Sequence, residues 1–230
     1  MKKLLSATFA LAFLLASPSA LAALLYEYEK GPGNFGNAGL NDKQRAYNSI
    51  TASYHTDGVL SFGTDFGAKR ANGFWLVVNA GGNPKGIAGE LAIFYGHLGS
   101  GKLYAYEYDG KNSANSWSVL GNQLEYFGKV IKRDGNAFNF SIDVSGINGR
   151  TDLGSDWAGA QFNDKVGIWY HPTWGTKLKS NPFSFSFKNQ GWFDIANGHT
   201  TVTDVPEPGS VALFATGLLA LLGLRRKRLV

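Results

Sequence analysis

Glu107 and Asp109 stand two residues apart in YEYDGKN, a spacing that invites the chemistry of glycoside hydrolysis. On a strand, such residues project from one face about 7 Å apart. An acid and its partner carboxylate need roughly 5–9.5 Å. A third carboxylate at position 112 would complete the E-x-D-x-x-E pattern of sandwich glycosidases, but Asn112 stands there. The Asp109-Gly110 pair also has a plainer use as a turn. We assign no catalytic residue and expect no enzyme, with a polysaccharide-active hydrolase as the alternative. H-E-x-x-H and G-x-S-x-G are absent. There is no cysteine, which removes disulfides, a thiolate nucleophile and thiolate metal sites. His55, His97, His171 and His199 form no close H-x-H or H-x3-H pair, and the acidic loops lack the spacing of a 12-residue calcium loop. No metal and no cofactor is expected. The glycine-rich GPGNFGNAG (31–39) lacks the Lys-Ser/Thr of a phosphate loop and reads as a surface loop.

Sugar binding asks for less: an aromatic ring to lie on the apolar face of a sugar, and amides or carboxylates to bond its hydroxyls. Of six tryptophans, Trp75 and Trp169 lie in apolar runs and are expected in the core. Trp117, Trp157 and Trp174 lie among small polar residues and are the candidate ligand-binding aromatics. Asp109, Asn112, Asn115, Asp152 and Asp156 are their candidate polar partners. The competing use of each loop tryptophan is to fold back onto the edge of the domain.

The elements that must position these residues are strands. AFNFSIDV (137–144) alternates strictly, with Phe138, Phe140, Ile142 and Val144 on one face. FSFSFK (183–188) and LYAYEY (103–108) alternate likewise and read as half-buried strands. FWLVV (74–78), LAIFY (91–95) and VGIWY (166–170) are apolar throughout and read as central strands covered on both faces. Asp57-Gly58, Asp109-Gly110 and Asp134-Gly135 mark turns. Residues 145–161 read as a long loop with room for a helical turn, and no amphipathic helix of three turns is visible from 26 to 200. The expected fold is all-β: an antiparallel β-sandwich or jelly roll, concanavalin-like in type, over residues 23–199.

Both ends read as processing segments. Lys2 and Lys3, the apolar run 4–16, the break at 17–19 and the small residues Ala20 and Ala22 make 1–22 a secretory signal peptide, cut between Ala22 and Ala23. Residues 200–204 are a polar linker. Val205, Pro206, Glu207 and Pro208 then form an extended motif, because proline restricts its own φ and its predecessor's backbone. The charge-free span 211–224 covers about 21 Å as a helix, short of a hydrocarbon core of about 30 Å. With Gly209 and Ser210 it makes a marginal transmembrane helix over 209–224. Arg225, Arg226, Lys227 and Arg228 are a basic stop that resists translocation. Six of 22 basic residues lie in these two tails and one of 17 acidic ones, Glu207, so the part between is neutral despite a formal charge of +5. Nucleic-acid binding is therefore excluded.

This order of motif, short apolar helix and basic stop resembles the PEP-CTERM sorting signal of exported Gram-negative proteins, a segment also labelled an ice-binding protein C-terminal domain. The resemblance covers 205–230 and carries no implication of ice binding. It implies that signal peptidase and a membrane-embedded exosortase process the chain. The inner membrane then holds it transiently, before delivery to the cell surface or an exopolysaccharide matrix. A plain C-terminal anchor is the competing reading of the tail. For the domain itself, the expectation is a lectin-like or matrix-interaction module. A structural matrix protein without a specific ligand is the second alternative.

Overall fold

The computed structural model describes residues 22–37, 39–79, 84, 91–108, 121–150, 152 and 159–198. In chain order its strands are β1 (Leu24–Lys30), β2 (Gly33–Asn34), β3 (Ala46–His55), β4 (Val59–Phe66), β5 (Gly73–Asn79), β6 (Leu91–His97), β7 (Lys102–Tyr108) and β8 (Gln123–Lys129). They continue as β9 (Lys132–Asp134), β10 (Ala137–Asp143), β11 (Val166–Trp174), β12 (Lys177–Ser180), β13 (Phe183–Ser186), β14 (Asn189–Gln190) and β15 (Phe193–Gly198). One helical turn, α1 (Asp42–Arg45), precedes β3 and is capped by Asn41, whose side chain accepts from Gln44 N–H. The fold is all-β with antiparallel sheets, as the alternating and apolar runs predict.

The first sheet has six strands in the order β1-β3-β4-β10-β9, with β2 beside β3. The second has seven in the order β14-β11-β5-β6-β7-β8, with β15 also on β11. Their inner faces meet across an aromatic layer. Phe62 on β4 lies 4.9 Å from Tyr170 on β11, and Phe74 on β5 stacks 4.9 Å from Phe138 on β10. Leu24–Val202 is one compact unit, to which Met1–Ala23 and Thr203–Val230 do not belong.

Local sequence explains the pairing. β10 buries Phe138, Phe140 and Ile142 and exposes Asn139, Ser141 and Asp143. Asp57-Gly58 turns β3 into β4 and Asp134-Gly135 turns β9 into β10, with positive φ at both glycines. On β6, Gly96 is opposite Phe74. A Cβ there would stand 2.1 Å from the Phe74 ring, so the glycine makes room for that ring in the core.

The second sheet is covered on both faces. Its outer face carries Trp75, Val77, Ile93, Tyr95, Tyr104, Tyr106, Tyr108 and Trp169, and the hairpin β12–β13 closes over part of it through Phe185, with Phe183 and Leu178. This corrects the half-buried reading of 103–108. Tyr104, Tyr106 and Tyr108 share a face as expected, but Leu103 and Ala105 are buried on the other. The loop at 31–39 is corrected in one respect. Phe35 is fully buried among Tyr47, Phe66 and Tyr170, so the loop is anchored in the core.

Among the described residues no helix is long and apolar enough to cross a membrane. The expected signal helix and the expected transmembrane helix at 209–224 lie outside the described residues, as do the linker and Ala20. Ala22 and Ala23 directly precede β1.

Candidate functional site

The end of β7 and the start of β8 border residues 109–120 in the sequence, where several of the expected ligand residues lie. Glu107, next to last on β7, is 8% exposed. Its Oε2 accepts from the backbone N–H and the side-chain Nδ2 of Asn122, each at 3.0 Å. Gly121 is packed so closely that a Cβ there would stand 2.6 Å from the Glu107 Cβ. Glu107 Oε1 is buried without a hydrogen-bond partner among the described residues. A glycosidase would need a second carboxylate facing Glu107. Its sequence candidate, Asp109, lies outside the described residues together with Asn112, Asn115, Trp117, Asp156 and Trp157.

Asp152 is described and exposed. Its Oδ1 accepts from Arg150 Nε at 2.6 Å and its Oδ2 from Nη2 at 3.3 Å. That fork holds the Asp152 carboxyl below the usual carboxylate range. Arg150 also donates from Nη1 to the Leu124 carbonyl, tying this loop to β8. Beyond Leu124 a cleft of about 490 Å³ opens between β8 and β10, lined by Glu125, Phe127, Val130, Ser141 and Asp143.

Trp174 is a correction. HPTWGT reads as a loop, yet Trp174 ends β11, is 3% exposed and packs edge-on against Phe35 and Phe66. Its Nε1 donates to the Lys69 carbonyl at 3.3 Å. Both its faces and its polar handle are committed to the interior, so it is no candidate for stacking. Pro172 does not break the strand. Its carbonyl accepts from Gly191, so its nitrogen also points to the β14–β15 side, where the ladder is interrupted and no donor is needed. Trp75 and Trp169 are buried as expected, and His171 stacks on Trp75 at 3.7 Å.

Two exposed aromatics were not legible as ligand candidates. Tyr126 on β8 is 41% exposed and stacks on Tyr104 at 4.5 Å, and Trp192 is 45% exposed. GWFD carries no signal beyond a lone tryptophan beside a glycine. Among the described residues no three histidine or acidic side chains group to hold a metal. His199 lies outside the described residues.

An all-β domain with exposed aromatics thus precedes the C-terminal segment. Residues 204–228 match the family model of the PEP-CTERM protein-sorting motif. The chain carries that motif, which marks it as an exosortase-targeted, secreted protein. The match includes Val205, Pro206, Glu207, Pro208 and the four basic residues through Arg228. No curated protein and no solved structure matches the chain.

Proposed function

We propose that the protein is exported by its signal peptide and held in the inner membrane by residues 209–224. Exosortase then cuts it near Pro206–Pro208 and releases it to the cell surface or exopolysaccharide matrix. There the β-sandwich serves as a non-catalytic, lectin-like module. The sorting motif at 204–228 carries this reading. A marginal apolar span followed by four basic residues suits an intermediate that stalls in a membrane and is then freed. The domain part draws support from exposed aromatic rings beside polar side chains and from a neutral charge balance outside the tails. A neutral surface disfavours anionic partners.

Intact mass of the protein from the producing cells, taken after fractionation, tests the reading. The expected species starts at Ala23, ends within 206–208 and is surface-bound or soluble. A species that retains 225–230 and stays in the inner membrane makes the tail an anchor and overturns delivery to the matrix.

A further inference from the structure

Trp192 is the most exposed large apolar side chain among the described residues, at 45%. Its backbone forms a two-way bridge with Gly36: Gly36 N–H donates to the Trp192 carbonyl at 2.9 Å, and Trp192 N–H to the Gly36 carbonyl at 3.0 Å. Residues directly opposite in such a pair carry their side chains on the same face. Gly36 has none, and the indole occupies the vacated space. A Cβ on Gly36 would stand 2.1 Å from Nε1 and 2.3 Å from Cε2 of Trp192. The five-membered ring of the indole is thus laid against peptide, and nearly half of the residue's surface is left to water. The bridge is pinned further by Asn37, whose Nδ2 donates to the Gln190 carbonyl and whose Oδ1 accepts from Gly39 N–H at 2.8 Å.

The surroundings are polar. Phe193 and Ile195 pack toward the core, so Trp192 and Asp194 face outward together. On the opposite segment Phe35 is buried, so Asn34 shares the outer face with Gly36. Asp194 and Asn34 are both exposed, and residues two apart on a strand lie about 7 Å from one another. A rigidly backed π-face flanked by a carboxylate and an amide matches a pyranose ring. Its C–H face lies on the indole while its hydroxyls donate to Asp194 and exchange bonds with Asn34. A single ring with polar flanks is far smaller than the roughly 800 Å² per partner of a stable protein interface. The Asp194 charge opposes phosphate and nucleic acid.

We infer that Trp192, backed by Gly36 and flanked by Asn34 and Asp194, is the sugar-stacking site of this domain, its ligand a neutral or weakly charged polysaccharide. The inference rests on the lectin-like reading above. Native affinity electrophoresis of the processed protein tests it, in gels containing exopolysaccharide from the producing cells, laminarin, xylan or galactomannan. The wild type is expected to be retarded in at least one. Trp192→Ala should weaken binding about ten-fold, the worth of one good ring contact. Trp192→Tyr should keep most of the retardation, and Asp194→Ala should lose part of it. Far-UV circular dichroism checks that each variant is folded; if Trp192→Ala is not, Trp192→Tyr and Asp194→Ala decide. Undiminished retardation of folded Trp192→Ala overturns this site while leaving the lectin-like reading, which Trp117→Ala and Trp157→Ala then probe. Absence of retardation of the wild type in every gel overturns both.

Discussion

His97, the last residue of β6, is a titratable side chain whose surroundings fix its behaviour. Its Nδ1 accepts from Ser100 N–H at 3.1 Å and lies 2.9 Å from Ser100 Oγ, an arrangement that suits the neutral ring. Burial, with Arg133 and Lys102 nearby, holds its pKa below the ordinary histidine value. The unfolded chain therefore takes up a proton first, near pH 6.5. This contribution to stability is full above that range and declines as pH falls through it toward the folded value. A His97→Gln protein should lose less melting temperature than the wild type between pH 8 and pH 5. Equal losses in a pair of thermal melts would sink the assignment. Other side chains were legible from sequence in uneven measure. Trp75 and Trp169 announce their burial by apolar neighbours on both sides. Trp174 and Trp192 both sit beside glycines. Their fates differ because one meets Phe35 and Phe66 and the other meets Gly36, 156 positions away in the chain (192 minus 36). A contact at that separation leaves no trace in the local pattern.

The strands that declared themselves are those with one dry face and one wet face. β10 shows its register in its alternation, because each inward ring meets β5 or β4 and each outward side chain meets water. β7 hides its environment. Its tyrosines face outward from the main core, and the layer above them comes from residues some 80 positions later. That layer is the β12–β13 hairpin, in which Phe183 lies 4.6 Å from Tyr106 and Phe185 lies 5.2 Å from Tyr95. The hairpin pairs with neither large sheet, so its hold on the sheet beneath rests chiefly on these rings. The Phe185→Ala protein should lose about 3–5 kcal/mol in urea denaturation, as buried phenylalanines do. A loss below about 1 kcal/mol, the level of an ordinary surface change, would show that the hairpin contributes little as a third layer.

For the whole molecule, charge and order along the chain govern the route. Four basic residues follow the apolar span, and on the proposed route they keep the terminus on the inner side of the membrane. Replacing Arg225, Arg226, Lys227 and Arg228 with Ser or Gln should let the tail slip through. The protein should then appear outside the cell with an uncut tail, read by intact mass and fractionation. Normal trimming in this variant would mean that the span and motif suffice alone. The sorting motif at 204–228 was the most legible part of the sequence because it is read as linear text, whereas a binding face is assembled from distant strands. The strand order bears on that route as well. Among the described residues β1 pairs only with β3 at one sheet edge and β15 lies at the edge of the other, with Tyr28 and Phe193 in ring contact at 6.3 Å. Both ends of the folding unit therefore leave from rim strands on the same flank. On the proposed route, trimming the leader or the tail opens no ladder among the described residues. On the proposed route the address is written at one end and erased at the other while the cargo between them keeps its shape.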